Sequence, residues 1–269
     1  MLFVLALLVQ QGPQIPWVRG PAKGVLGSEA TINVPAGCLF TGMDGIKQFL
    51  TATQNPVNGN ERGVVLCQAD KSEDTWFVLF SYDPSGYVKD DEGAHLDADA
   101  ILANVREGTE AANETRKRRG WGTLTVDGWV TKPFYDKSTN NLTWAISAHD
   151  DSGVGSVNHS VRLLGRGGVM HIDLVASPAQ LAGLVPAFNG MLAGFNYQPG
   201  FKYAEWRPGD KIASYGLTAL VAGGAGVALA KSGILLKLWK LILAGIAAVA
   251  AGIKRFWNKI TGKKEMQPQ

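Results

Sequence analysis

Between Lys89 and His95 the chain runs KDDEGAH, which sets Asp90, Asp91 and Glu92 close to His95 within one short stretch. Carboxylate oxygens are ligands for hard cations, and a cation held this way could activate a water for hydrolysis. The spacing departs from a calcium loop, because Gly93 follows the acids instead of interrupting a ligand series. A solvated acidic turn ahead of a helix N-terminus is the favoured reading, since negative charge suits that end of the helix dipole. A second group is GRGG, Gly165 to Gly168, with Arg162 and Arg166. Arginine offers a planar fork of donors that could grip an anion, but glycines at this spacing also build an ordinary hairpin turn.

The four histidines are His95, His149, His159 and His171, and none lies in an HExxH motif. GxSxG and the phosphate-binding GxxxxGK[ST] are also missing. Ser160, His159 and Asp173 make a triad only on paper, because strand alternation sends neighbouring residues 159 and 160 to opposite faces. Trp121, Trp129, Trp144, Phe134 and Tyr135 could line a ligand groove, but alternation on strands makes most of them core. The residues therefore assign no catalytic, cofactor-binding or metal-ligating set, and no cofactor is expected.

The elements that position these groups belong to a chain of 269 residues, 18% charged and 46% hydrophobic, enough for one or two domains. The net charge is +3, and the excess is local. Lys254, Arg255, Lys259, Lys263 and Lys264 face the single acid Glu265, so the tail accounts for the basic balance. A near-neutral body argues against nucleic acid as a partner. Cys38 and Cys67 each fall in a strand-like stretch. They could be bridged in an oxidising compartment if the strands are neighbours, or be two small buried hydrophobes.

Strand and helix periods alternate between Gly20 and Pro208. Strands are expected over Ala30 to Val34, Gly63 to Gln68 and Thr75 to Tyr82, with a short helix from Asp44 to Thr53. The turn DPSGY closes the third strand. A long helix capped by Asp97 turns Ile101, Leu102 and Val105 inward and ends in the basic run Arg116 to Arg119. Further strands run over Leu124 to Val130, Leu142 to Ala148, Val157 to Leu164 and Val169 to Ala176. A helix from Pro178 to about Leu192 and a strand-like piece, FNYQPGFKYAEW, follow. The expected class is α+β, an antiparallel sheet with helices against one face. The second half is similar to the sandwich of PsbP and Mog1-like proteins.

The chain ends carry a membrane pattern. Leu2 to Val9 is apolar and of a length suited to the core of a signal peptide, but no cation precedes it. Leu241 to Ile253 is uncharged and would extend only about 20 Å as a helix. Reaching back to Ile234 gives a span of about 20 residues, with Lys237 and Lys240 near an end where their stems can reach the headgroups. Tyr215 to Ala230 is glycine-rich and apolar and could form a second arm. The basic tail favours a single span with a cytoplasmic C-terminus. The expected organisation is a signal peptide or remnant over 1–15, two α+β parts over 16–120 and 121–212, an apolar helix over 213–231, a transmembrane helix over 234–253 and a basic tail over 254–269.

Several segments in order, WFVLFSYDPSGYVKDDE, LDADAIL, GWVTKPFYD with NLTWAI, NHSVRLLGRGGVM and DKIASYGLTALVAGGAG, resemble domain-of-unknown-function family 2167. The likeness runs from about Pro16 to Ile253. It implies a bacterial membrane-anchored protein with a secretory signal, an exported domain and a C-terminal anchor, and it implies no reaction. The expected function is a non-catalytic binding or scaffold module of the envelope, on the outer side of the bacterial inner membrane. Its partners would be membrane lipid through the C-terminal helix and either another protein or a second copy. A cation-dependent envelope hydrolase centred on Asp90, Asp91, Glu92 and His95 is the alternative.

Overall fold

The computed structural model describes residues 15–53, 55–68, 75–93 and 95–222. The expected signal peptide, the spanning helix over 234–253 and the basic tail lie outside the described residues. Among the described residues no helix is long and apolar enough to cross a membrane.

Among the described residues eleven strands form two antiparallel sheets. The larger has the order β1 (Val18–Arg19), β4 (Leu39–Thr41), β5 (Glu61–Gln68), β6 (Thr75–Asp83), β10 (Val169–Ala176), β9 (Gly155–Leu164), β8 (Asn141–Asp150) and β7 (Leu124–Asp136). The smaller has the order β11 (Asn196–Tyr197), β3 (Ala30–Val34) and β2 (Ala22–Leu26). The helices are α1 (Met43–Ala52), α2 (Ala98–Arg118), α3 (Leu181–Leu192) and the short α4 (Leu217–Val221).

The main core lies between the two sheets. Val65, Val78, Phe80, Ile172 and Leu174 of the large sheet meet Leu26, Ile32 and Val34 of the small one, and α3 adds Leu181, Phe188 and Met191. Phe188 is fully buried and sets its ring edge to face with His159, 5.4 Å between centroids. Tyr197 joins the layers by hydrogen bonds. Its hydroxyl accepts from the Met170 N–H at 3.0 Å and donates to the Leu163 carbonyl at 2.7 Å, two residues paired across β9 and β10.

The other face of β5 and β6 is covered too. Val64, Phe77 and Leu79 pack against Ile46, Phe49 and Leu50 of α1. The expectation of helices against one face is therefore corrected: α1 and α3 lie on opposite faces. The reason is visible in GVVLC and WFVLF, continuous apolar runs that suit a strand buried on both sides.

α2 docks on β7 by a different route. Asp97 caps it, accepting from the Asp99 and Ala100 N–H groups at 3.1 and 3.0 Å. Only Ile101 and Asn113 are buried in this 21-residue helix. The Asn113 amide donates to the Leu124 carbonyl at 2.8 Å and its oxygen accepts from the Leu124 N–H at 2.9 Å, completing a backbone residue at the sheet edge. The Trp129 indole donates to the Ala98 carbonyl at 3.0 Å, and the Arg106 guanidinium to the Asp127 carbonyl at 2.7 Å.

Boundaries differ where glycine and proline act. β7 runs on through Pro133 to Asp136, which an edge strand with register shifts permits. FNYQPGFKYAEW yields only the two residues of β11 and a single 3-10 turn at Tyr203–Glu205, because Pro199 and Gly200 (φ 90°) turn the chain between them. β1 and β2 are short strands around Gly20 and Pro21 that periodicity does not reveal, and the strand-like stretch holding Cys38 is split after Pro35 by a turn at Ala36 and Gly37 into β3 and β4, with Cys38 in neither.

Candidate functional site

The acidic loop does not converge. Asp90 accepts from the Tyr135 hydroxyl at 3.1 Å, and burial pushes that phenol up to about 12, with Asp90 adding to the shift. Glu92 points elsewhere and accepts from the Thr218 N–H at 2.9 Å, in the first turn of α4. Asp91 and His95 are exposed. Among the described residues no group of three or more His, Cys, Asp or Glu side chains is placed to hold a metal ion. The four residues that would centre a cation-dependent hydrolase are thus spread over a surface loop, and two of them tie that loop to β7 and α4.

Both arginines are engaged by carboxylates of the same chain. GRGG is the hairpin turn between β9 and β10, closed by Gly165 N–H to the Gly168 carbonyl at 2.8 Å. Gly168 is needed there, because a Cβ would collide with the Asp83 carbonyl oxygen. Arg166 reaches from this turn to Asp210 in a two-pronged ion pair of 2.7 and 2.8 Å. That bond, with the Arg207 N–H, holds the Asp210 carboxyl at about 2. The turn is a clasp for the segment after the 3-10 turn, and its fork of donors is filled.

Arg162 belongs to a polar cluster on the face of β9 and β10 turned away from the main core. It donates to Asp173 at 2.9 Å and lies 4.6 Å from the Trp144 ring centroid. Ser160 donates to the same Asp173 oxygen at 2.6 Å. Pairing of His171 with Arg162 and of Asp173 with Ser160 brings His171 to this face as well. The alternation argument holds: His159 is on the opposite face, against Phe188. His171 is the member that sequence reasoning missed, since nothing in the strand pattern fixes which residue of β10 faces Ser160.

Burial, with the nearby Arg162 charge, pushes the His171 imidazole well below its usual range, so it is neutral. Its Nε2 and the Arg162 Nε are buried without a partner. Ser160 and Asp173 share a hydrogen bond without an intervening imidazole, so the cluster lacks the relay of a nucleophilic triad. It is a half-buried ion pair with a hydroxyl and an aromatic face around it.

The aromatics do not form one platform. Trp144 is buried, Phe134 is exposed on β7, and Trp121 lies near Arg116 and Arg119 at the end of α2. A separate aromatic group, missed in sequence, stacks Tyr87 on Tyr203 with 4.4 Å between centroids and tilts Trp206 against Tyr87 at 5.4 Å.

Among the described residues several open concavities remain; one of about 440 Å³ takes in Lys89, Asp91 and Glu92 of the acidic loop, and two larger ones lie elsewhere. One, of about 810 Å³, runs between α3 and the Cys38–Cys67 bridge and includes Trp76, Gly183, Leu184 and Met191. Its lining has no charged side chain. The register Leu39 to Leu66 sets the two cysteines opposite one another, with Cα atoms 4.3 Å apart and the sulfurs bonded. That separation fits a non-hydrogen-bonded antiparallel pair, where Cα atoms stand about 4.5 Å apart. The other concavity, of about 700 Å³, lies where β1, β2, β4 and the start of α1 meet, with Lys23, Val25, Phe40, Met43 and Arg62 in its wall. There Arg62 is paired with Glu29 at 2.9 Å.

Comparison with known proteins adds a family and no activity. No curated protein matches the chain. The solution structure of cyanobacterial PsbP (CyanoP) from Synechocystis is similar at 10% identity, covering 63% of this chain and 86% of that one, with a TM-score of 0.37. A crystal structure of a protein of unknown function from Pseudomonas aeruginosa is similar at 11% identity, covering 63% of this chain and 92% of that one, with a TM-score of 0.26. A family model described as Protein of unknown function (DUF2167) matches residues 19–254. Spanning both sheets and every helix described above, that match places the chain in the DUF2167 family, to which it belongs.

Proposed function

We propose that this chain is a non-catalytic binding or scaffold module of the bacterial envelope, exported to the outer side of the inner membrane and tethered there by its C-terminal segment. One observation carries the non-catalytic part. Of the six side chains that the sequence offers for chemistry, Asp90, Glu92, Arg162 and Arg166 are each engaged by another group of the same chain, while the 810 Å³ concavity beside α3 has no charged side chain in its lining. Groups held in structural bonds are poor general bases and poor ligands, whereas apolar concavities with few polar groups are what binding sites present. The Cys38–Cys67 bridge supports an oxidising compartment. The apolar run over 234–253 with its basic flank supports a single span with the C-terminus in the cytoplasm.

Paired reporter fusions, one at the C-terminus and one after Trp206, test the topology. A cytoplasmic C-terminus with an external Trp206 is expected, together with retention of the chain in carbonate-washed membranes. Release by carbonate, or a cytoplasmic Trp206, overturns the tethered reading. The hydrolase alternative is tested by melting the protein with calcium, magnesium, manganese or zinc. No change in Tm is expected, and a rise abolished by Asp91→Asn would restore a cation site.

A further inference from the structure

The 700 Å³ concavity has a property that the other lacks: two free strand edges open onto it. Among the described residues β1 ends the large sheet and β2 ends the small one, each paired on one side only. Val18 of β1 and Lys23 and Val25 of β2 stand in its wall. The Val25 carbonyl oxygen stands on this side, 3.5 Å from where a Gly42 Cβ would be, so Gly42 of the same chain borders it. Unpaired backbone groups along a strand edge are a template for another strand.

The side chains match that use. Val18, Val25 and Met43 are 49%, 59% and 58% exposed, so three large apolar side chains face solvent around one opening. The opposite edge of the large sheet is guarded differently. β7 carries Pro133 and several register shifts, devices that blunt pairing, whereas β2 has neither a proline nor a bulge. What β2 does carry is Lys23, exposed and outside every ion pair among the described residues. A lysine on an edge discourages indiscriminate pairing, and an opposed carboxylate removes that penalty. In the same wall Arg62 and Glu29 are tied to one another, and Asp44 stands in the first turn of α1 without an ion pair to Lys23.

We propose that an extended segment of a partner protein adds to β2 as a further strand, with a carboxylate opposite Lys23 and an apolar side chain opposite Val25, two residues away. The inference rests on the binding-module reading and names the partner chemistry of one of its concavities. Main-chain bonds to β2 would give affinity, and the Lys23 and Val25 contacts would give selectivity.

The test uses the full chain in detergent and an acetylated heptapeptide of alternating threonine and valine with one central glutamate. Its lysine counterpart and a version with N-methylated amides serve as controls. The glutamate peptide should bind about fivefold tighter than the lysine peptide, as expected of an opposed charge pair on neighbouring strands. The N-methylated peptide should not bind, and Lys23→Glu should invert the charge preference while melting as the parent does. Equal binding of the N-methylated peptide, or an unchanged preference in Lys23→Glu, overturns strand addition. Dimerisation of the free chain that Val25→Asp abolishes overturns it in favour of a second copy.

Photo-crosslinkers at Val25 and at Ala187, in the other concavity, separate this inference from its parent. Crosslinks to an exported protein from Ala187 alone would keep a binding module and reject β2 as its site. Silence at both positions would reject both readings.

Discussion

The half of the large sheet built on β4, β5 and β6 and the half built on β7 are held by different forces. In the first, apolar side chains fill both faces, Phe49 packs edge-on against Phe77 at 5.3 Å and Trp17 at 6.1 Å, and a disulfide joins Cys38, just before β4, to β5. In the second, β7 alternates between half-buried and exposed residues, and α2 is attached mainly by side chains that complete backbone groups. Burial of a large apolar side chain contributes about 1.5–3 kcal/mol, and a hydrogen bond about 1 kcal/mol net. A helix can thus be placed accurately by polar bonds while being held less firmly than one placed by burial. α2 and β7 are expected to open before the rest of the sheet.

The largest effect should come from Phe188→Ala, which empties the space between the sheets and should lower unfolding free energy by about 3–5 kcal/mol in a denaturant titration. Cys67→Ala should cost about 3–4 kcal/mol, given the 29 residues that separate it from Cys38, and dithiothreitol should reproduce that loss in the parent only. Asn113→Ala leaves the Leu124 N–H and carbonyl without their partner and should cost about 1–3 kcal/mol. Its signature should be faster amide exchange confined to α2 and β7; uniform acceleration would mean that the two halves open as one. Asp97→Ala, removing the cap of α2, should cost about 1 kcal/mol by the same measurement.

Acid should separate the middle of the large sheet, β9 and β10, from the β7 edge as well. His159 and His171 have imidazole pKa values pushed down from 6.5, by burial first in both and by Arg162 in addition at His171. Both are neutral in the folded chain, and the unfolded chain takes up protons near 6.5. Their stabilising effect is complete above that pH and is lost as pH falls below it toward the folded values. Asp150 and Asp151, beside β7, are held below 3.8 by hydrogen bonds, from Ser152 and from Thr123 respectively. Their effect is present above that value and lost only as pH falls further. Tm should therefore begin to decline just below pH 6.5, and His171→Leu should flatten that first decline while leaving the one at lower pH.

How much was legible in sequence follows from which interactions are local. Asp97 announced its helix because a cap bonds residues two and three positions away. The GRGG hairpin was legible for the same reason. The double burial of β5 and β6 is written in their unbroken apolar runs, but the order of elements, strands and then a helix, points to helices on one face and does not show it. The candidate site was hardest, because its partners are remote. Arg166 and Asp210 are 44 residues apart, and Glu92 and Thr218 are 126 apart. No spacing rule indicates that a surface acid will be used by a distant helix. The free edge of β2 is equally hidden. AKGVL shows that Lys23 and Val25 share a face, while only the strand order shows that, among the described residues, no further strand pairs beside them.

The Tyr197 hydroxyl has a bearing on how the two sheets move. By bonding both Leu163 and Met170 it rivets the small sheet to the large one at the far end of β3, and a rivet removes sliding as a motion of the two layers. Losing the hydroxyl would free the Met170 N–H and the Leu163 carbonyl at once, so Tyr197→Phe should let the two layers shift against each other, read as faster amide exchange in β3 and β11.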